Sequence, residues 1–282
     1  KEIYHQWPIF DIPPGPVPSE SWAPVMNKAV TAVLAFVAMT AMAGQAVLAA
    51  GAGSGQSLDQ AANDPTASLM SVQLQNVYAG DYHVLDGETG NTLLLRAAVP
   101  FKTGDLNHIA RVTLPVVTDS PSRESGLGDI VLFDLLAFDE SWGRWGIGPV
   151  LLAPTASDES LGADKWALGP ALGFVARAPG LLWGVFNQNL FSFAGDDDRE
   201  DVDVSIVQPI LNYSLPNKWS VGTSEMNITF DWNQEDWVAL PLGFKVAKLV
   251  RFGRQPVQFS GADEYNFADD YPAPAGTVNL TV

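Results

Sequence analysis

Cysteine is absent, histidine occurs three times, and basic residues number 15 against 32 acidic ones. Without cysteine there are no disulfides, no thiolate metal sites and no thiol redox chemistry. The shortage of Lys and Arg leaves a net charge of −17. That charge excludes nucleic acid as a partner, because phosphates require a basic footprint. Past residue 50 the only histidines are His83, in an expected loop, and His108, with Ala110 two residues on. A hydrolase built into a membrane barrel needs His and Ser on adjacent same-face positions with a carboxamide orienting the His, so no enzyme is expected. No glycine-rich cradle leads from a strand into a helix, so no phosphate-bearing cofactor is expected. The acidic run 196–203 lacks the glycine and terminal glutamate of a calcium loop, and no metal site is expected there.

Helical periodicity is also missing after residue 50. The one long apolar run, 29–50, follows a basic start at Met26-Asn27-Lys28 and exits through Val47-Leu48-Ala49. Those three parts read as a secretory signal peptide over 26–49, rather than as a single membrane anchor, because of the alanine richness and the break at Gly44-Gln45. Residues 1–25, proline-rich and upstream of that signal, are expected to be a non-native or mistranslated leader. Residues 50–68 read as a flexible periplasmic lead.

What remains, 69–282, consists of about twelve short alternating segments, near 69–78, 92–101, 106–117, 129–138, 144–154, 165–178, 181–194, 201–215, 219–230, 237–251, 255–261 and 277–282. Most are close to the roughly nine to eleven residues with which a tilted strand crosses a bilayer. Their connections alternate in length. Long acidic ones carry Asp81, Asp158-Glu159, the run 196–201, Glu235-Asp236 and Asp269-Asp270, and tight ones include Pro179-Gly180 and Pro216-Asn-Lys218. Long loops on one side and short turns on the other are the habit of outer-membrane barrels, with the short turns in the periplasm. Charged residues are only 17% of the chain, below the roughly 25% of soluble domains, so the acid is concentrated in those loops. Seven tryptophans (Trp142, Trp145, Trp166, Trp183, Trp219, Trp232, Trp237) fall at or near segment ends, as two interfacial girdles require. The expected fold is an all-β, antiparallel, twelve-stranded transmembrane β-barrel. Its last segment stops at Val282, and the chain is expected to be cut short there.

Hairpin arithmetic orients the charges. With Thr103-Gly104 as the central turn residues, Arg96 falls opposite Arg111 on one face. Mid-strand arginines facing lipid cost about 2 to 4 kcal/mol each, so both are expected in the lumen. Asp134 on the next strand is the expected counter-charge, either bracing the lumen or sharing it with an anionic solute. A two-residue turn at Pro216-Asn217 sets Gln208 opposite Glu225. It places Gln208, Asn212, Thr223, Glu225 and Asn227 inside, and Ile210, Met226, Ile228 and Phe230 outside. Lys245 and Lys248 cannot share a face at strict period two, so one needs a bulge or a near-interface position. The expected lumenal set is Arg96, Arg111, Asp134, Gln208, Glu225 and Lys245.

Several segments together, Gly126-Leu-Gly-Asp129, Trp145-Gly-Ile-Gly-Pro149, Ala153-Pro-Thr155, Lys165-Trp-Ala-Leu-Gly-Pro170, Gln208-Pro-Ile-Leu-Asn-Tyr213 and Leu240-Pro-Leu-Gly243, carry a resemblance. The chain resembles, over about 71–282, a family of outer-membrane proteins associated with the meta pathway of phenol degradation and described simply as transporters. The resemblance implies a barrel and passage of aromatic or other hydrophobic compounds, and it brings no binding residues with it. Members end in an aromatic residue, and here Val282 stands last. The expected function is passive uptake of small hydrophobic solutes across a Gram-negative outer membrane. Lipopolysaccharide, membrane lipid and the barrel-assembly machinery are the expected partners. The alternatives are a structural or surface-interaction barrel and, less favoured, an outer-membrane hydrolase.

Overall fold

A computed structural model describes residues 58–282 apart from Arg254. The expected leader, the expected signal peptide and residues 50–57 of the expected lead lie outside the described residues. Twelve antiparallel strands close into one barrel: β1 (Ser71–Tyr82), β2 (Gly90–Thr103), β3 (Leu106–Asp119), β4 (Ile130–Glu140), β5 (Gly143–Ala153) and β6 (Lys165–Ala178) come first. They are followed by β7 (Leu181–Gly195), β8 (Asp203–Leu215), β9 (Trp219–Thr223 and Ile228–Asp231), β10 (Asp236–Ala239 and Pro241–Phe252), β11 (Gln255–Asn266) and β12 (Pro274–Thr281). Each pairs with its sequence neighbours, and β12 pairs back onto β1, with Gln75 opposite Thr281. Closure matters physically, since a free edge would leave peptide groups unpaired in hydrocarbon.

The tight turns form where the chemistry allows them. Gly104 and Gly180 hold positive φ in two-residue hairpin turns, a conformation costly for any residue with a Cβ. Outward positions carry the apolar belt, including Leu74, Ile147, Leu172, Leu211, Phe244 and Leu280, all exposed on the isolated chain. All seven expected tryptophans are exposed too. Trp142, Trp145, Trp183 and Trp219 sit by the tight turns, and Trp166, Trp232 and Trp237 by the long connections. Amphipathic rings at both rims of an apolar band set the two heights at which headgroups meet the wall.

Strand β9 is interrupted at residues 224–227. Below the break Trp219 faces Leu215 of β8; above it Ile228 faces Val207, where the lower register continued would bring Ile206. One extra residue is thus accommodated, as in a bulge. The outward set changes from Trp219, Val221 and Thr223 to Ile228 and Phe230.

Within the expected flexible lead, residues 58–67 carry a short helix, α1 (Leu58–Ala61), and a turn that dock onto inward-facing groups. Arg144 of β5 donates from Nη1 to the Thr66 carbonyl at 2.6 Å. Gln60 donates to the Ala178 carbonyl at 3.4 Å, and Gln258 to Asn63 at 3.3 Å. Thr66 is buried, its hydroxyl and backbone N–H both donating to the Asp64 carboxylate. The acceptors on Ala178 and the donors on Arg144 and Gln258 stand beside tight turns, so this segment occupies the lumen near that end.

Candidate functional site

Strict alternation of β2 and β3 puts Arg96 and Arg111 on the inner face, as expected, but not directly opposite one another. The turn centres on Gly104-Asp105, so Thr103 faces Leu106; Arg96 then faces Thr113, and Arg111 faces Ala98. A two-residue register difference preserves the face and makes the arginines diagonal neighbours. The expected counter-charge is corrected. Asp134 faces Ala110, and Arg111 faces Phe133, so Asp134 lies on the outer face of the wall. There its Oδ2 is 2.9 Å from His108 Nδ1, while His108 stacks on Phe101 with ring centroids 4.6 Å apart. The long connection after β3, which carries the two-residue strand Gly126–Leu127, sets the β3–β4 register and shifts Asp134 out of phase with Arg111.

The carboxylate that meets the arginines is Glu225. Arg96 Nη1 donates to Glu225 Oε2 at 2.6 Å, joining β2 to the interrupted segment of β9 on the far side of the barrel. Arg96 stands midway along β2, so the pair forms a bar across the lumen at about mid-height. Glu225 reaches inward because of the break: alternation continued from Thr223 would turn it toward lipid. Arg96 is 10% and Glu225 38% exposed at the side chain, so one partner is nearly enclosed and the other still meets lumenal solvent.

Lys245 of β10 faces Gly222 and points inward near Glu225. Lys248 takes the near-interface position, over the Trp219 ring at 5.0 Å and donating to the Asn217 carbonyl. Gln208 lies on the inner face opposite Phe186 and donates to Asn227. Asn212 is inside as expected. Three expectations on β8 and β9 are corrected. Ile210 is two residues from Gln208 and Asn212 and shares their inner face, and Thr223 sits on the outer face opposite Phe244, its hydroxyl serving the backbone of β8. Met226, expected outside, is buried at the break, its sulfur accepting from the Gly243 N–H at 3.3 Å. Ile228 and Phe230 face outward as expected.

Inward positions of β3 to β8 tell a different story. Ile109, Phe133, Leu135, Val150, Ala167, Ala171, Phe186, Leu190 and Val204 form one buried apolar cluster, with Ile206 and Ile210 against it. Phe133 and Phe186 pack 5.4 Å apart, and a Cβ on Gly173 would come within 2.8 Å of the Phe186 ring. The Arg111 guanidinium lies 5.7 Å from the Phe133 ring centroid, so it sits on the border between the charged and the apolar walls. At the mouth, Asp129 accepts from the N–H groups of Thr155, Ala156 and Ala163 at 2.9, 3.0 and 2.7 Å, folding the 154–164 connection inward.

Sequence reasoning missed a polar chain on the outer wall. Trp232 Nε1 donates to Ser205 at 2.9 Å and Ser205 to Asn189 at 2.6 Å, and Asn189 donates to Asn187 and to the Pro170 carbonyl. Proline at 170 leaves its ladder positions open, and the signal was legible in Pro170 within a strand followed by Asn187 and Asn189 on the next. No group of three or more His, Asp or Glu side chains is placed to hold a metal ion among the described residues.

No family model matches the sequence, and no curated protein sequence matches it. Among solved structures, the COG4313 outer membrane channel from Pseudomonas putida F1 superposes with a TM-score of 0.56 at 18% identity, over 77% of this chain and 96% of that one. The outer membrane phospholipases of Salmonella typhi and Escherichia coli give TM-scores of 0.41 and 0.42 at 11% and 10% identity. They cover 75% of this chain in each case, and 88% and 90% of their own. The first likeness concerns the fold: this chain is an antiparallel twelve-stranded barrel of the outer-membrane kind.

Proposed function

We propose that the protein is a passive outer-membrane pore for small, hydrophobic or aromatic solutes, resident in a Gram-negative bacterium. The single observation that supports this reading is the Arg96–Glu225 bar, which stands across a lumen whose other wall is apolar. Twelve strands enclose a lumen between the filled interior of eight-stranded barrels and the open channel of sixteen-stranded porins, so inward side chains decide what passes. Solute enters among the acidic loops, slides along the β3 to β8 wall, passes the bar when Arg96 and Glu225 part, and leaves beside α1. The energy comes from the concentration gradient alone. Lipopolysaccharide and the assembly machinery remain the proposed partners outside the lumen.

Reconstitution in liposomes tests this directly. In vesicles with a lipopolysaccharide outer leaflet, which slows apolar solutes as phospholipid does not, radiolabelled benzyl alcohol should equilibrate faster when the protein is present, while a disaccharide should not. Equal permeation of vesicles with and without protein would end the pore reading and favour the structural one.

A further inference from the structure

We infer that the lumen binds an amphipathic monoanion, a compact apolar body bearing one carboxylate, with its charged end at Arg111 and Lys245 and its body on the Phe133 wall. The inference rests on the pore reading and names the substrate class of that same lumen. Three cations, Arg96, Arg111 and Lys245, face two carboxylates there. Glu225 is engaged by Arg96, and Glu264 accepts from Asn279 Nδ2 at 3.2 Å. One positive charge is left over inside a protein whose net charge is −17. Arg111 and Lys245 both lie in the field of Glu225, yet neither makes a hydrogen bond or a close ion pair among the described residues, and the Arg111 guanidinium lies over the face of Phe133. Arg96 Nε is a further buried donor with no partner there. A half-buried cation that shares one carboxylate with two others still has donors to spare, and a second carboxylate would meet the arginine fork in the way it prefers.

Geometry fixes the rest of the ligand. Arg111 and Phe133 are cross-strand neighbours, so a carboxylate on the guanidinium leads its substituent onto Phe133 and from there to Leu135 and Val150. A free small anion such as acetate fills the charge and leaves that wall untouched. A neutral alcohol of the same shape reaches the wall and leaves the excess positive charge unmet. Selectivity should therefore need both ends of the ligand.

Isothermal titration of the refolded, detergent-solubilised protein with benzoate, benzyl alcohol and acetate tests this on the wild type. Benzoate should bind at least tenfold more tightly than either of the others. Arg111→Gln and Lys245→Gln, checked for folding by heat-modifiable gel mobility, should each weaken benzoate about tenfold and leave benzyl alcohol unchanged. Equal affinity for benzoate and benzyl alcohol, or benzoate binding indifferent to both variants, would overturn the inference. Paired liposome fluxes separate the two readings. If benzyl alcohol passes and benzoate shows no preference, the pore stands and the anion site falls, whereas if neither passes, both fall.

Discussion

The two halves of the lumen use the same backbone and close in opposite ways. Along β3 to β8 a run of inward Ile, Phe, Leu, Val and Ala side chains fills the wall by contact, with many small terms adding up over a buried cluster. From β9 round to β2 the inward positions include Glu225, Lys245, Glu264 and Arg96, and the gap is spanned by the Arg96–Glu225 ion pair. Packing is distributed and tolerant of single losses in selectivity. An ion pair concentrates stability, and in the proposed pore passage as well, at a single point.

Phe186→Ala should give the largest stability effect. The ring is 1% exposed and packs on Phe133 and over Gly173. Its loss should cost about 3 kcal/mol, seen as a lower urea midpoint in detergent, with ion selectivity unchanged. A shift in selectivity would mean that the two walls are not separate devices.

Glu225→Gln comes next and sharpens the contrast. It leaves Arg96 unpaired beside Arg111 and Lys245, costing about 2 kcal/mol, toward the low side for a buried pair because Glu225 still meets solvent. Planar-bilayer conductance should rise several-fold and become more anion-selective. The reverse variant, Arg96→Gln, should rise as much in conductance with less loss of stability, since Glu225 keeps two cations nearby. Unchanged conductance in both would remove the bar from the path.

Arg144→Met removes the donor that holds the Thr66 carbonyl, and also the 2.7 Å pair with Asp139. About 1.5 kcal/mol should be lost, with more frequent brief openings in single-channel records as residues 58–67 detach. Current traces identical to wild type would show that α1 does not restrict the lumen.

The smallest effect belongs to the loop tether, where Tyr271 donates to Asp236 Oδ2 at 2.7 Å. Burial, then this bond, pushes the Tyr271 hydroxyl up to about 12, and the bond holds the Asp236 carboxyl below its ordinary value. A lowered carboxylate gives support that is complete above its ordinary range and lost as pH falls through the lowered value. A raised phenol loses its support only as pH rises through about 12. Between those limits the tether should be flat with pH. Tyr271→Phe should speed protease nicking of the 267–273 loop slightly and leave conductance alone; a pH-dependent conductance near neutrality would need another cause.

How much of this was legible varies with distance along the chain. Strand count, tight turns and tryptophan girdles follow from local alternation, and so does the shared face of Arg96 and Arg111, because period two survives an even register error. Asp134 was misplaced because its face depends on how many residues the 120–129 connection consumes, which no turn rule specifies. Glu225 was placed inside by a turn assignment that the structure replaces with Pro216–Lys218. Its inward direction comes from the break in β9, and its partner lies 129 residues away. Pairing across a lumen is set by barrel closure and leaves no local trace.

The interruption at 224–227 also bears on how such chains diverge. Elsewhere in a closed wall, inserting one residue would exchange every lipid-facing side chain of that strand for a lumenal one. At this position the exchange is already absorbed by irregular backbone. A lineage can therefore relocate a charge from membrane to channel here by changing length rather than by substituting residues. Alignments of distant relatives should admit a gap at these four residues and forbid one in the flanking segments.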